Sequence, residues 1–180
     1  MMLWARRAAA ILCVCVCMQA TTQSQIRYDN SLSVIGGAYA PSGFSTNFCF
    51  GAKYSYFFGA GRYFVEAGVL FSTLRSRVLE NVSKTEVFDS DRLVTYDFTI
   101  AYDATPTGPF PYVAFGVAGI NEGGQSAFSG IVGVGKRMML SGNFGIRYDV
   151  RDQFFSQSIN NSDEFVAHNL MFTVGAQVYF

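Results

Sequence analysis

The last eleven residues of the chain, LMFTVGAQVYF (170–180), alternate between two kinds of side chain. Every second residue back from Phe180 is apolar, whereas Gln177 and Thr173 lie at positions in between. Alternation with a period of two is typical of a β-strand whose two faces have different surroundings. We therefore predict a final strand over 167–180, and much of the remaining chain repeats its pattern.

Length and composition suit a single domain built from strands. The chain has 180 residues, half of them hydrophobic, with 18 Phe, 10 Tyr and 18 Gly. No apolar run approaches the ~18–20 residues that a membrane-spanning helix requires. The 13 basic and 13 acidic residues balance each other, so no basic patch indicates binding to nucleic acid.

The first twenty residues, MMLWARRAAAILCVCVCMQA, have the pattern of a secretory signal peptide. Two arginines precede an apolar run that is too short to span a membrane as a mature helix. We predict a signal peptide over 1–24, with cleavage near 20–24, and a mature domain over 25–180. Cleavage leaves 11 basic against 13 acidic residues, a formal charge of −2, and Cys49 as the remaining cysteine, which excludes an internal disulfide.

Eight stretches of the mature chain carry the strand pattern, and turn residues separate them. The predicted strands are Ser31–Ala40, Phe48–Phe58, Arg62–Leu74, Arg92–Asp103, Phe110–Asn121, Ala127–Arg137, Leu140–Asp152 and Ala167–Phe180. The connectors alternate in length. Short turns are predicted at 59–61, at 104–109 and at Met138–Met139. Longer polar loops are predicted at Pro41–Asn47, Arg75–Asp91, Glu122–Ser126 and Gln153–Val166. This alternation is typical of an up-and-down membrane barrel.

The two faces of the predicted strands differ in polarity. In the seventh strand, Phe144, Ile146 and Val150 alternate with Arg147 and Asp149. The second, third and fourth strands follow the same rule, whereas the first, fifth and sixth are less distinct. The apolar stretches run to ~10 residues, which is what a tilted strand needs to cross the hydrocarbon layer.

Aromatic residues gather at the strand ends on the short-turn side. They are Phe57, Phe58, Tyr63, Tyr102, Phe110, Tyr112, Tyr179 and Phe180. We expect them to form one aromatic girdle at the membrane interface.

These features predict the fold class: an all-β, eight-stranded antiparallel up-and-down transmembrane β-barrel that follows an N-terminal signal peptide. Closure is expected because an open sheet edge in lipid leaves unpaired N–H and C=O groups. The alternative is a soluble eight-stranded barrel of the lipocalin type. Its parity would be inverted, with the apolar faces enclosing a hydrophobic ligand and the charges in water.

The whole mature chain resembles the small outer-membrane β-barrel proteins of Gram-negative bacteria, the group that includes the OmpA barrel domain. The C-terminal VGAQVYF is similar to the terminal signal that the barrel assembly machinery recognises, and IRYDVRDQFFSQ (146–157) with HNLMFTVG (168–175) resembles the last hairpin of an outer-membrane barrel family common in myxobacteria. The resemblance implies a location in the bacterial outer membrane after export. It also implies an assembly signal at Phe172, Val174, Val178 and Phe180. Unlike full OmpA, the chain is expected to have no peptidoglycan-binding domain.

Six charged side chains share the polar face of the predicted strands. They are Lys53, Glu66, Asp97, Arg147, Asp149 and Arg151. The interior of an eight-stranded barrel is just wide enough for side chains to fill it. Because desolvated charges are unfavourable unless they are paired, three cations and three anions predict a structural plug rather than an ion or proton path.

Two further features of the sequence resemble functional sites but are better explained by ordinary structural roles. GIVGVGK (130–136) has the glycine and lysine spacing of a P-loop, but Arg137 takes the place of the metal-binding Ser or Thr and no helix follows. His168 is the single histidine. Outer-membrane lipid A deacylases use a histidine with a nearby serine, but Asn169 and Leu170 follow His168, so a contact at the external rim is the preferred interpretation.

The predicted function is therefore a structural or interaction role in the outer membrane, without enzymatic activity, cofactor or metal. The expected partners are outer-membrane lipid, lipopolysaccharide, the barrel assembly machinery and an extracellular ligand at the long loops, of which the second and fourth are the longest. No nucleic-acid partner is expected. A narrow pore, a lipid-modifying barrel enzyme and the soluble ligand carrier remain as alternatives.

Overall fold

The computed structural model describes residues 28–41, 46–74, 91–106, 110–122, 125–159 and 163–180, so the predicted signal peptide lies outside the described residues. Its strands are β1 (Asn30–Pro41), β2 (Asn47–Phe58), β3 (Tyr63–Leu74), β4 (Asp91–Tyr102), β5 (Tyr112–Glu122), β6 (Gln125–Ser141), β7 (Phe144–Ile159) and β8 (Asp163–Tyr179). Each strand pairs antiparallel with the next, and β8 pairs with β1 to close the barrel. In these ranges no helix is long and apolar enough to cross a membrane. The predicted eight-stranded antiparallel barrel is confirmed.

The first five strands begin and end within two residues of their predicted bounds, but the predicted turn at Met138–Met139 is wrong. β6 continues through both methionines to Ser141, and the chain reverses at 142–143. Gly142 has a φ of 29°, and the register between β6 and β7 shifts between Met139 and Ser141. The glycine permits the positive φ that this tight reversal requires, whereas the methionines have extended geometry and belong to the strand.

Two of the predicted long loops are also wrong. Glu122–Ser126 contains only two connecting residues, 123–124, and Gln153–Val166 is mostly a β-hairpin whose connector is 160–162. Their polar composition indicated loops. Strands that extend beyond the apolar belt do not contact lipid, however, so they can be polar on both faces.

The connectors define two ends of the barrel. The end with 59–62, 103–111 and 142–143 is called here the turn end, and the opposite end, with 42–46, 75–90, 123–124 and 160–162, is called the loop end.

The outer surface of the barrel is apolar and rich in aromatic side chains. Its exposed aromatic residues include Phe48, Phe50, Tyr54, Tyr56, Phe58, Tyr63, Phe71, Tyr96, Phe98, Tyr102, Phe115, Phe128, Tyr148, Phe154 and Phe172. Successive side chains of a strand point to opposite faces, so the positions between these belong to the interior. The parity predicted for β2, β3, β4, β7 and β8 matches the observed burial pattern.

The interior is divided into three layers along the barrel axis. A turn-end layer contains Phe57, Phe64, Ala101, Tyr112, Ala114 and Tyr179. A loop-end layer contains Ile35, Tyr39, Cys49, Leu70, Leu93, Ala118, Ile120, Ile131 and Met171. The charged residues lie between them, as the inward face of β3 illustrates with Phe64, Glu66, Gly68 and Leu70 in that order. The polar centre of the barrel is therefore covered by apolar side chains towards both ends.

The predicted aromatic girdle is correct in part. Phe58, Tyr63, Tyr102, Phe110 and Phe180 are exposed at the turn end. Phe57, Tyr112 and Tyr179 instead lie inside, where the ring centroids of Phe57 and Tyr179 are 6.0 Å apart. These three residues have the inward parity of their strands, so their position follows from alternation rather than from aromatic character.

Candidate functional site

The structure brings the six charged residues named from the sequence into one cluster, called here the six-charge network. It consists of Lys53 on β2, Glu66 on β3, Asp97 on β4, and Arg147, Asp149 and Arg151 on β7. All six side chains are buried, and Arg147 is fully inaccessible to solvent. Each lies on the inward parity of its strand, so the strand alternation itself places them together.

Glu66 is the centre of the six-charge network. Its carboxylate lies 2.5 Å from Arg147 Nη1, 2.5 Å from Arg151 Nη2 and 3.3 Å from Lys53 Nζ. Ser55 donates a further hydrogen bond to Glu66 at 2.9 Å. One carboxylate thus contacts all three cations of the network.

The two aspartates complete the pairing. Asp97 lies 3.4 Å from Lys53 and 3.3 Å from Arg151. Asp149 lies 2.9 Å from Arg147 and 3.6 Å from Arg151, and it accepts a hydrogen bond from the hydroxyl of Tyr112. With three positive and three negative groups, the network is formally neutral, and the attraction between its charges offsets part of the desolvation penalty of burying them.

A second buried ion pair, absent from the sequence-based prediction, lies at the turn end. Arg137 Nη2 donates to Asp103 at 3.1 Å. Its guanidinium carbon lies 4.5 Å from the ring centroid of Phe57 and 4.2 Å from that of Phe64, which are cation–π distances. Arg137 and Asp103 were missed because each lies at a predicted strand end, although both have inward parity.

Lys136 binds the connector between β4 and β5. Its ammonium group donates to the backbone carbonyls of Thr105 at 3.0 Å and Phe110 at 2.8 Å. The GIVGVGK segment lies wholly within β6 and precedes further strand. The lysine therefore ties down a connector, and the segment has no strand-to-helix geometry for a phosphate.

The loop-end layer is held by hydrogen bonds as well as by apolar contacts. Asn169 donates to the hydroxyl of Tyr39 at 2.8 Å. Gln153 donates to Ser129 at 2.9 Å, and Ser129 donates to the carbonyl of Ala118 at 3.1 Å. These bonds join side chains from four strands across the layer.

His168 lies outside the barrel, on the outward face of β8 towards the loop end. It is 59% exposed at the side chain, and its Nδ1 lies 2.8 Å from Asp152 Oδ2. Among the described residues, no serine bonds with this pair. Within the described part of the chain, the pair therefore has no serine positioned as a nucleophile.

The residues predicted as an assembly signal all point outward on β8. Phe172, Val174, Val178 and Phe180 are each about half exposed. The backbone of Phe180 exchanges two hydrogen bonds with Asn30, at 3.0 and 3.1 Å, which extends the closing β1–β8 pair by one residue. Their recognition by the assembly machinery stays a prediction.

An apolar, aromatic exterior around a closed barrel with a charged interior defines the class of the protein, which is an outer-membrane β-barrel. This surface agrees with the location predicted from the sequence. The soluble lipocalin-type alternative is wrong, because it requires the opposite arrangement, with apolar residues inside and charges outside.

Three solved structures are similar to this chain. The outer membrane protein OprG from Pseudomonas aeruginosa is similar to this chain, with a TM-score of 0.59 and 11% sequence identity over 87% of this chain and 98% of OprG. The N-terminal β-barrel domain of Pseudomonas aeruginosa OprF has a TM-score of 0.49 and 16% identity over 86% of this chain and 100% of its own. Ail, the attachment invasion locus protein of Yersinia pestis, has a TM-score of 0.39 and 17% identity over 82% and 95% of the two chains.

No family model matches the chain. No curated protein matches its sequence. The likeness to OprG therefore concerns the fold, and activity has to be argued from the residues themselves.

Proposed function

We propose that the protein is a sealed integral barrel of the outer membrane, with a structural or interaction role carried by its loop end. The observation that carries this proposal is the six-charge network, which is formally neutral, gives each charged group an ion-pair partner and lies between apolar layers. The barrel wall anchors the protein in lipid, and the network fills its centre.

Ion conduction needs a hydrated path, and the observed packing opposes one. An ion entering from the loop end would have to pass Ile35, Leu70, Leu93 and Met171, whose side chains are all buried in the loop-end layer. It would then have to displace partners of Arg147, which is bonded to both Glu66 and Asp149. Breaking buried ion pairs costs roughly 3–5 kcal/mol each, so the network favours a closed lumen.

Planar-bilayer recording of the purified, folded barrel tests the sealed state. We expect no discrete conductance steps, whereas an open porin in the same bilayers gives steps. Migration of boiled and unboiled samples on gels confirms that the inserted protein is folded. Reproducible single-channel steps from the folded fraction would overturn the proposal in favour of a narrow pore.

At the loop end, β7 and β8 form a ribbon that continues past their pairing with the neighbouring strands. Pairing between β6 and β7 ends at Gly130–Phe154, and pairing between β1 and β8 ends at Pro41–Asn169. β7 and β8 nevertheless remain paired to each other as far as Ile159. The hairpin therefore extends by about five residue pairs, or roughly 17 Å, past its last pairs with β6 and β1.

An exposed aromatic side chain lies beside this ribbon. β6 continues past its last pair with β7, and Phe128 in that extension is 89% exposed, the highest value among the large exposed hydrophobic side chains. Strand edges without a neighbour, together with an exposed aromatic residue, are features of polypeptide-binding surfaces. Most of the fourth predicted loop, Gln153–Val166, is therefore this ribbon. The second predicted loop, Arg75–Asp91, lies outside the described residues except for Asp91.

Photo-crosslinking in intact cells tests the interaction role. A benzophenone amino acid at Phe128 is compared with the same residue at Val117, which faces outward on β5 within the apolar belt. We expect a discrete crosslinked protein from position 128 only. Absence of any protein adduct at 128, or equal adducts at both positions, would contradict an interaction surface at this place.

A catalytic role is not part of the proposal. The exposed His168–Asp152 pair has no serine partner among the described residues, and each member of the six-charge network has an ion-pair partner within that network. After incubation of lipid A with the folded barrel, mass spectrometry should show that the mass of the lipid is unchanged. Loss of an acyl chain, dependent on His168, would instead establish an enzyme.

A further inference from the structure

An aromatic groove lies on the outer surface of β2, β3 and β4 at the loop end. It has a volume of about 500 Å³, within the ~300–1,000 Å³ typical of small-molecule sites. The groove is lined by Phe48, Phe50, Phe71, Ser72, Arg92, Leu93 and Val94. Its walls are largely apolar, and it opens outward rather than into the lumen.

The groove arises where two strand ladders end at different heights. The β2–β3 ladder ends at Cys49–Ser72, whereas the β3–β4 ladder continues to Leu74–Asp91. At this step the hydroxyl of Ser72 donates to the carbonyl of Phe48 at 3.0 Å. Phe48, which lies beside this step, is 70% exposed.

Stacked rings form the floor of the groove. The centroids of Phe48 and Phe50 are 6.5 Å apart, and those of Phe50 and Phe71 are 5.6 Å apart. The three rings run from β2 to β3 as one continuous apolar surface. Such a surface favours contact with hydrocarbon chains.

Arg92 gives the groove a cationic rim. The side chain is exposed, and it makes no hydrogen bond or ion pair within the described ranges. Among the described strand residues at the loop end, Arg92 is the one outward-facing arginine or lysine. Lys136, by contrast, lies at the turn end, where its ammonium group binds backbone carbonyls. Asp152, an outward-facing carboxylate on β7, is already paired with His168.

Arg92 lies at the depth of a membrane interface. Tyr102, at the turn end of the same strand, is ten residues away. Ten residues of a strand tilted by ~40° rise roughly 25 Å along the axis, which matches the height of an outer-membrane apolar belt. With Tyr102 at one interface, Arg92 is at the other, where anionic headgroups meet acyl chains.

We propose that this groove, the Arg92 groove, is a binding site for lipid A, the phosphorylated and multiply acylated lipid of lipopolysaccharide. The guanidinium matches a phosphate monoester in charge and in its paired hydrogen-bond donors. The ring floor beneath it matches an acyl chain attached to the same molecule. This inference rests on the proposed outer-membrane function, in which the loop end faces the lipopolysaccharide leaflet.

Native mass spectrometry of the folded barrel with bisphosphorylated lipid A tests the site. Arg92→Gln removes the cation, and Arg62→Gln, an exposed arginine in a turn at the opposite end, is the matched control. We expect one retained lipid A per barrel and an affinity about tenfold lower for Arg92→Gln, with Arg62→Gln unchanged. Phe50→Ala should also weaken binding, whereas Phe98→Ala, exposed elsewhere on the belt, should not.

Lipid A stripped of phosphate separates the two parts of the groove. It should bind weakly and without dependence on Arg92, and phosphatidylglycerol should not substitute for lipid A. Equal binding of phosphatidylglycerol, or equal losses in the Arg92 and Arg62 variants, would overturn the site. Gel migration of unboiled samples distinguishes failure of the lipid A site from failure of the proposed function. A folded barrel that does not bind lipid A refutes the groove alone, whereas a protein that does not insert in membranes refutes the proposed function.

Discussion

The guanidinium of Arg147 lies 2.5 Å from the carboxylate of Glu66, so that β7 and β3, which are not neighbours in the barrel wall, are joined across the lumen. Within the six-charge network, Glu66 is the anion that contacts all three cations. The interior is consequently cross-linked by charge, and removing its central anion affects more than one pair.

Glu66→Gln should destabilise the barrel by roughly 3–5 kcal/mol, because three buried cations would share two anions. Urea unfolding in lipid vesicles measures the loss. Ser55→Ala, which removes the neutral 2.9 Å hydrogen bond to the same carboxylate, should cost only about 1 kcal/mol.

A second substitution should restore part of the stability that Glu66→Gln removes. Lys53→Met in the Glu66→Gln background returns the network to equal numbers of cations and anions. The loss of unfolding free energy in the double variant should therefore be smaller than the sum of the losses in the two single variants. Strict additivity would show that the charges act independently.

Arg137→Lys should also destabilise the barrel, by about 2 kcal/mol, although the charge is retained. The planar guanidinium contacts the rings of both Phe57 and Phe64 and donates to Asp103, and an ammonium group cannot reproduce that geometry. The melting temperature of the folded form on gels measures the change. Arg62→Lys, in an exposed turn, should have no measurable effect, and an equal loss there would contradict the stacking argument.

Alternation within the strands was sufficient to predict the fold and the membership of the six-charge network. Lys53, Asp97 and Arg147 share an inward parity that can be counted directly from the sequence. Parity works here because a barrel in lipid gives the two faces of each strand opposite surroundings. It does not depend on knowing which strands are neighbours.

Features at the strand ends could not be predicted in the same way. Composition favoured a loop at 153–166 and a girdle position for Tyr179, but pairing continues to Ile159 and Tyr179 is buried. Beyond the belt, polar residues occur on both faces, so the alternation that marks a strand disappears. The Arg92 groove could not be predicted from the sequence either, because it depends on where the β2–β3 and β3–β4 ladders end relative to each other.

Neighbouring glycines in β1 should respond very differently to substitution. A Cβ at Gly37 would collide with the backbone carbonyl of Phe172 on β8, whereas a Cβ at Gly36 would meet Phe48 Cζ at an ordinary 3.5 Å. Gly37→Ala should therefore cost about 1–3 kcal/mol, and Gly36→Ala should be nearly neutral. The difference in urea midpoint between the two variants measures how tightly the strands approach inside the barrel, and equal midpoints would contradict this packing.

The orientation of the barrel predicts which end can be labelled from outside the cell. Ser126 is exposed at the loop end and Asn143 is exposed in the turn at 142–143. Cys49 is buried in the loop-end layer, so it should stay unlabelled in the folded protein. The 16-residue connector 75–90 belongs to the loop end, and longer connectors of such barrels face outward.

Ser126→Cys should accordingly react with a membrane-impermeant maleimide on intact cells, and Asn143→Cys should react only after the membrane is opened. The unsubstituted chain is the control for Cys49. Labelling of Asn143→Cys but not Ser126→Cys would reverse the orientation, and it would place Arg92 in the inner leaflet, away from lipopolysaccharide. Because the maleimide reports position without any ligand, this result is independent of the lipid A measurement and fixes which leaflet the Arg92 groove can sample.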